Sequence, residues 1–279
     1  MELLSWIPPS KLSHIALNAN PNVYDYMTSS NHYVIKDWLL LSGNSGALPL
    51  LLKNKDKINV TLLCSNTNPA AIPLIQSYLQ HKQVSRQLLQ SNPTTFSLIP
   101  SSELYLEYVC ANPHPGAIQL VQQMIDTGYI EHIDWSILSA NISAIEILKQ
   151  HPDKIKWSVL SSNPSAMDLL MENPSRINLN QLCKNTHPKA IELLKTIPKH
   201  KINWYILSSN PSAIEFLEEN KEFIQWYHLS LNPAIFQYNY QKMAKKRNEL
   251  IHEELLAIAL HPDRISKWLQ HGLNLYDII

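Results

Sequence analysis

One pattern restricts this chain more than any other property of it: Ile-x-Trp-x-x-Leu-Ser-x-Asn-Pro-x-Ala-Ile-x-x-Leu, which recurs from Ile133, Ile155, Ile177, Ile202 and Ile224 at steps of 22, 22, 25 and 22 residues. Anchoring on the asparagine extends the series through Asn20, Asn44, Asn66, Asn92, Asn112, Asn141, Asn163, Asn185, Asn210 and Asn232, with His261 at the same place in an eleventh, degenerate copy. Three residues before each stands an aliphatic side chain: Leu17, Leu41, Leu63, Leu89, Val109, Leu138, Leu160, Leu182, Leu207, Leu229 and Ile258. A unit this short cannot bury an apolar face alone, so it has to stack on its neighbours.

Within a unit the spacing predicts two short helices. Trp204 and Leu207 share one stripe, with Asn203, or Asp134 in another unit, placed to cap it; Ala213, Ile214 and Leu217 form the buried face of the second helix. Between them, Asn210-Pro211 joins a capping residue that tolerates a left-handed turn to a favoured helix starter. The expected fold is therefore all-α: an α-solenoid of about eleven helix-turn-helix repeats of 22–25 residues with capping ends. Residues 1–16 form the N-terminal cap, 17–236 the array, and 237–279 a longer helix and cap whose tail, from Trp268, is apolar enough to pack back over the last unit. Layers ~8–10 Å apart predict an elongated arc on the order of 100 Å long. The repeated Asn141, Asn163, Asn185, Asn210 and Asn232 read as architecture, because helix ends need a polar partner once per unit. Trp135, Trp157, Trp204 and Trp226, at fixed register beside Ile and Leu, read as core.

The repeat units, N-P-x-A-I followed by L-x-x-x-P-x-K/R-I-N-W, resemble the short asparagine-proline helical repeats of proteins from large double-stranded DNA viruses of algae and amoebae. The likeness is close over Ile133 to Gln237 and looser over Leu12 to Ala117, where Val60, Arg86 and Leu106 replace the tryptophan. The resemblance implies a viral protein of the host cytoplasm or the virion, and it brings no catalytic motif.

Composition excludes several function classes. Lys+Arg and Asp+Glu are 23 each, so no global field attracts a phosphate backbone. Charged residues are 16% against a usual value of about 25%. Five glycines leave no phosphate-cradling loop, and neither a nucleophile elbow nor a dinucleotide fingerprint occurs. An early acid and Pro8-Pro9 replace the basic and apolar regions of a secretory leader, and the apolar stretch from Trp38 to Leu52 is broken at 42–46, short of the ~20 residues that cross a bilayer. Three cysteines, an odd number, favour a reducing compartment.

The pairs Cys110/His114 and Cys183/His187 have the makings of zinc ligands. Cys64, Cys110 and Cys183, however, occupy the slot held elsewhere by Ser42, Ser139, Ser161, Ser208 and Ser230, which reads as packing. Glu146, Asp168, Glu192 and Glu215 recur near the start of the second helix and read as a solvated face. His252-Glu253 lacks the second histidine of a helical zinc-protease motif, since position 256 is Leu. The expectation is a non-enzymatic protein–protein interaction scaffold with no metal, cofactor or membrane partner. Its contact face carries the variable positions Ser158, Asn180, Tyr205 and Tyr227, and the basic cluster Lys242, Lys245, Lys246 and Arg247 is a second candidate contact site. The partners expected are capsid or host proteins. A structural virion component, such as a minor capsid or cementing protein, is the alternative, and a helical-repeat nucleic-acid binder ranks last because it would need a basic stripe repeated unit by unit.

Overall fold

The structure is a computed structural model and describes residues 1–29, 36–80, 83–272 and 274. It is mostly helical, with one two-residue strand pair, and divides into two compact units, Met1–Gln237 and Tyr238–Ile279.

The unit around Trp204 shows how local sequence becomes local structure. Asn203 caps Trp204–Leu207 by accepting the Ile206 amide; Asn210 then caps a 3-10 turn, Pro211–Ala213, by accepting the Ser212 amide, and the turn runs into Ile214–Glu218. A further 3-10 turn, Lys221–Phe223, returns the chain. Asn210 is extended, at φ −79° and ψ 117°, and no non-glycine residue among those described has positive φ. The left-handed option open to asparagine is unused because the following proline confines it to extended backbone, which is also the N-cap conformation.

The repeated asparagine does two jobs at once. Its Oδ1 accepts the backbone amide two residues on, at the turn into the second helix, while its Nδ2 donates to the preceding unit: Asn163 to the carbonyls of Ser139 and Asn141 at 3.2 and 3.0 Å, Asn185 to Ser161 and Asn163, Asn210 to Cys183 and Asn185, Asn232 to Ser208 and Asn210. Those carbonyls lie at the end of a helix, where four are left without an intrahelical partner. The same pair of bonds runs through Asn44, Asn66, Asn92 and Asn141, and Asn112 donates to the Gln90 carbonyl. All of these asparagines are buried.

The ladder has no free first rung. Asn20 donates to the carbonyls of Ser230 and Asn232 at 3.1 and 2.8 Å, 210 and 212 residues away, so ten asparagines form a closed circuit. This corrects the open arc: the bonds from Asn20 bring the last of these asparagines against the first. The helix His14–Leu17 packs on Trp226–Leu231, the Ser13 amide donates to Ser230 Oγ, and Glu2–Leu3 pairs antiparallel with Phe236–Gln237. Residues 1–16 are therefore a strap across the seam rather than a cap, because the surface they were expected to shield from water is met by the other end of the array. Lys11 lies over the Trp226 ring and Lys221 over Trp6, again across the seam.

The eleventh copy is not a rung. His261 sits in the second unit, where it caps the helix Pro262–Gln270. That unit holds the longest helix of the described chain, Tyr240–Ala259, capped by Asn239; neither helix buries a residue. The tail expected to fold back lies, from 275 onward and at 273, outside the described residues.

Candidate binding face

The helix that opens each unit of Met1–Gln237 exposes the residue two before its buried aliphatic. Around the circuit these residues are Ile15, Leu39, Thr61, Gln87, Glu107, Ser136, Ser158, Asn180, Tyr205 and Tyr227, and every one is exposed. The expected contact residues Ser158, Asn180, Tyr205 and Tyr227 thus stand at one register on consecutive helices: Trp157–Leu160, Leu179–Leu182, Trp204–Leu207 and Trp226–Leu231.

They do not form one kind of surface. Ser158 and Asn180 belong to a polar arc that also holds Thr61, Gln87, Glu107 and Ser136. Tyr205 and Tyr227, 62% and 54% exposed, belong to an apolar arc that the closed circuit continues onto Ile15, 57%, and Leu39, 53%. Sequence reasoning missed Ile15 and Leu39, which share the register of the tyrosines but sit at the opposite end of the chain. Tyr205 meets His228 edge-on, with ring centroids 3.5 Å apart, and Tyr227 flanks the same imidazole at 5.4 Å. Burial pushes the His228 imidazole below its ordinary pKa, which favours its neutral form. Within the polar arc the face hollows into a shallow depression of about 340 Å³ beside Ala111, Ser136 and Ala140.

The remaining candidates separate cleanly. Lys242, Lys245, Lys246 and Arg247 lie on Tyr240–Ala259, in the second compact unit, whereas Tyr205 and Tyr227 belong to the first. Trp135 and Trp204 are buried, and their indole N–H groups donate to the Ile130 and Lys199 carbonyls. Arg176 covers Trp157 and Lys57 covers Trp38, which closes these rings to stacking by a ligand. Among the acids, Glu146 pairs with Lys149 and Asp168 with Lys189, all exposed.

The cysteines have a defined task. Ser42, Ser139, Ser161 and Ser208 each donate to the carbonyl four residues back and accept the amide that opens the next unit, at Asn59, Lys156, Asn178 and Gln225. Ser230 does the same for Ser13 across the seam. Cys64, Cys110 and Cys183 accept from the amides of Ser85, Asp134 and Asn203 in that slot, and Gln90 serves Tyr105. Burial pushes the Cys110 thiol up to about 11 and raises those of Cys64 and Cys183. His114 and His187, their sequence neighbours, cap helices through Nδ1. Among the described residues no three His, Cys, Asp or Glu side chains come together as metal ligands, and no helix is long and apolar enough to cross a membrane.

Comparison with known proteins finds no matching family model, no similar curated protein and no similar solved structure.

Proposed function

We propose that Met1–Gln237 is an α-solenoid closed into a ring and that the chain is a non-enzymatic scaffold for protein–protein contacts, binding through the apolar arc Tyr205, Tyr227, Ile15 and Leu39. The observation that carries this reading is the segregation of one register into two arcs. Large exposed apolar groups stand side by side across the seam, while the other six positions are small or polar. Scattered single apolar residues are ordinary on a surface, whereas a contiguous aromatic and aliphatic patch of low charge suits a protein partner with its own apolar segment. No position of the register is cationic, which weighs against one-base-per-unit reading of a nucleic acid. A viral setting, with capsid or host proteins as partners, rests on the resemblance of the repeat alone.

The test is comparative capture. A photo-crosslinking residue placed at Tyr227 should trap a protein partner from native or infected cytoplasm, the same residue at Ser158 should trap none, and Tyr205→Ser with Leu39→Ser should abolish the Tyr227 product. Equal trapping at Ser158, or a nucleic-acid adduct at Tyr227, would overturn the reading.

A further inference from the structure

No residue of the helix Tyr240–Ala259 is buried, yet Met243, Leu250, Ile251 and Ile258, between 45% and 58% exposed, fall on one side of it at seven- and eight-residue steps. Twenty residues make a helix of about 30 Å, and an exposed helix of that kind gains its stability from whatever covers its apolar stripe. At ~100° per residue, two charged residues project from the middle of this stripe, Arg247 and Glu254. They are two turns apart, ~10 Å along the axis, and neither belongs to an ion pair among the described residues. Lys242, Lys245 and Lys246 precede them, and Glu249 and Glu253 lie between or beside them, so the first half of the helix is basic and the second half acidic.

Anything that covers the stripe has to answer a positive charge near one end and a negative charge near the other, or leave a desolvated charge unpaired. A second copy in parallel sets Arg247 on Arg247 and Glu254 on Glu254. A second copy in antiparallel, with its two-fold axis between Leu250 and Ile251, sets each Arg247 opposite the partner's Glu254 and each Met243 opposite the partner's Ile258. It also places Ala244 against the partner's Ala257, where two small residues allow close approach, and gathers Leu250 and Ile251 about the axis. The helix is thus its own complement in both charge and apolar pattern, as an isologous interface requires.

We infer that Tyr240–Ala259 is a self-association surface through which two copies of this chain pair antiparallel about Leu250 and Ile251, with Arg247 and Glu254 setting the direction. Sedimentation velocity or light scattering on the full chain, from ~1 to ~500 µM, reads the mass directly, since one helix pair is a small interface of modest affinity. The expected result is a concentration-dependent rise to twice the chain mass. Arg247→Glu alone and Glu254→Arg alone should each raise the midpoint of that transition by about tenfold or more. Mixing the two variants should restore a one-to-one dimer, because the mixture regains both opposite-charge contacts; the mixing arm also shows that each variant is folded. Ile251→Cys should form a disulfide-linked dimer on oxidation, and Met243→Cys should not. A chain that stays monomeric throughout, single variants that dimerise unchanged, or a mixture that stays monomeric would each overturn the inference, as would a monomer that instead sediments with phosphatidylserine vesicles.

Discussion

Helix length and burial run in opposite directions in the two compact units of this chain. Tyr240–Ala259 is the longest helix among the described residues and has none of its residues buried, while four-residue helices such as Trp157–Leu160 and Trp204–Leu207 sit in a continuous core with Leu160 and Leu207 wholly inaccessible. The short helices are marginal by themselves and exist because each is held by its neighbours: an asparagine bonds to the carbonyls behind it, a serine or cysteine receives the amide ahead of it, and an aliphatic side chain fills the space between. Closing the array, as proposed, would remove the two ends at which such a structure otherwise exposes apolar surface. The long helix has strong local signals and no repeated neighbour to bury it.

That contrast sets the order of expected effects. Asn163→Asp should be among the most damaging single changes in Met1–Gln237: a buried carboxylate would face the Ser139 and Asn141 carbonyls that now accept from Nδ2. A loss of about 4 kcal/mol in urea-denaturation stability is expected. Leu160→Ala should cost about 3–4 kcal/mol by the same measurement, while Leu256→Ala on the solvated helix should stay within about 0.5 kcal/mol. If both cost the same, the distinction between the two regions fails. Gly46→Ala should cost about 2–3 kcal/mol, since a Cβ there would stand 1.7 Å from the Pro21 carbonyl oxygen, a backbone atom of the neighbouring unit. Ser165 and Ser212 hold the same place in their units and carry a Cβ there, so the effect is local to the one interface.

A smaller effect concerns pH. The Cys110 thiol has its pKa raised by burial from 9.0 to about 11, so the folded state holds this proton more tightly than the unfolded chain. Stability from this group is complete below pH 9.0 and declines as pH rises from there towards about 11. Cys110→Ser should flatten that alkaline decline and change neutral-pH stability by no more than about 1 kcal/mol, because serine fills the same slot elsewhere. Thiol reagents should modify Cys110 only on unfolding. Smallest of all in stability are Tyr205→Ser and Tyr227→Ser, expected within about 0.5 kcal/mol each and visible chiefly in partner capture.

The sequence made the helical class and the unit register legible, because an Asn three residues after an aliphatic survives even where Trp has become Val60, Arg86 or Leu106. It also equated Cys64, Cys110 and Cys183 with serine, but not the reason, since the amide each accepts belongs to the next unit. Closure was illegible. It depends on the angle between successive units, which side-chain packing at the interfaces sets and no one-dimensional pattern records. The strap at residues 1–16, the exclusion of His261, and the joining of Ile15 and Leu39 to Tyr205 and Tyr227 all follow from that angle. For the same reason the binding face was half legible: its register was visible in Tyr205 and Tyr227, and its extent was not.

Closure is the claim on which the binding face stands, and one distance tests it. Spin labels at Ile15→Cys and Tyr227→Cys, with Cys64, Cys110 and Cys183 replaced by serine, should give a short electron–electron distance distribution that overlays the one from Ser136→Cys with Ser158→Cys, a pair on adjacent units. An open array of ten layers ~8–10 Å apart would place the first pair on the order of 70–90 Å apart, and a distribution centred there would contradict the closed circuit.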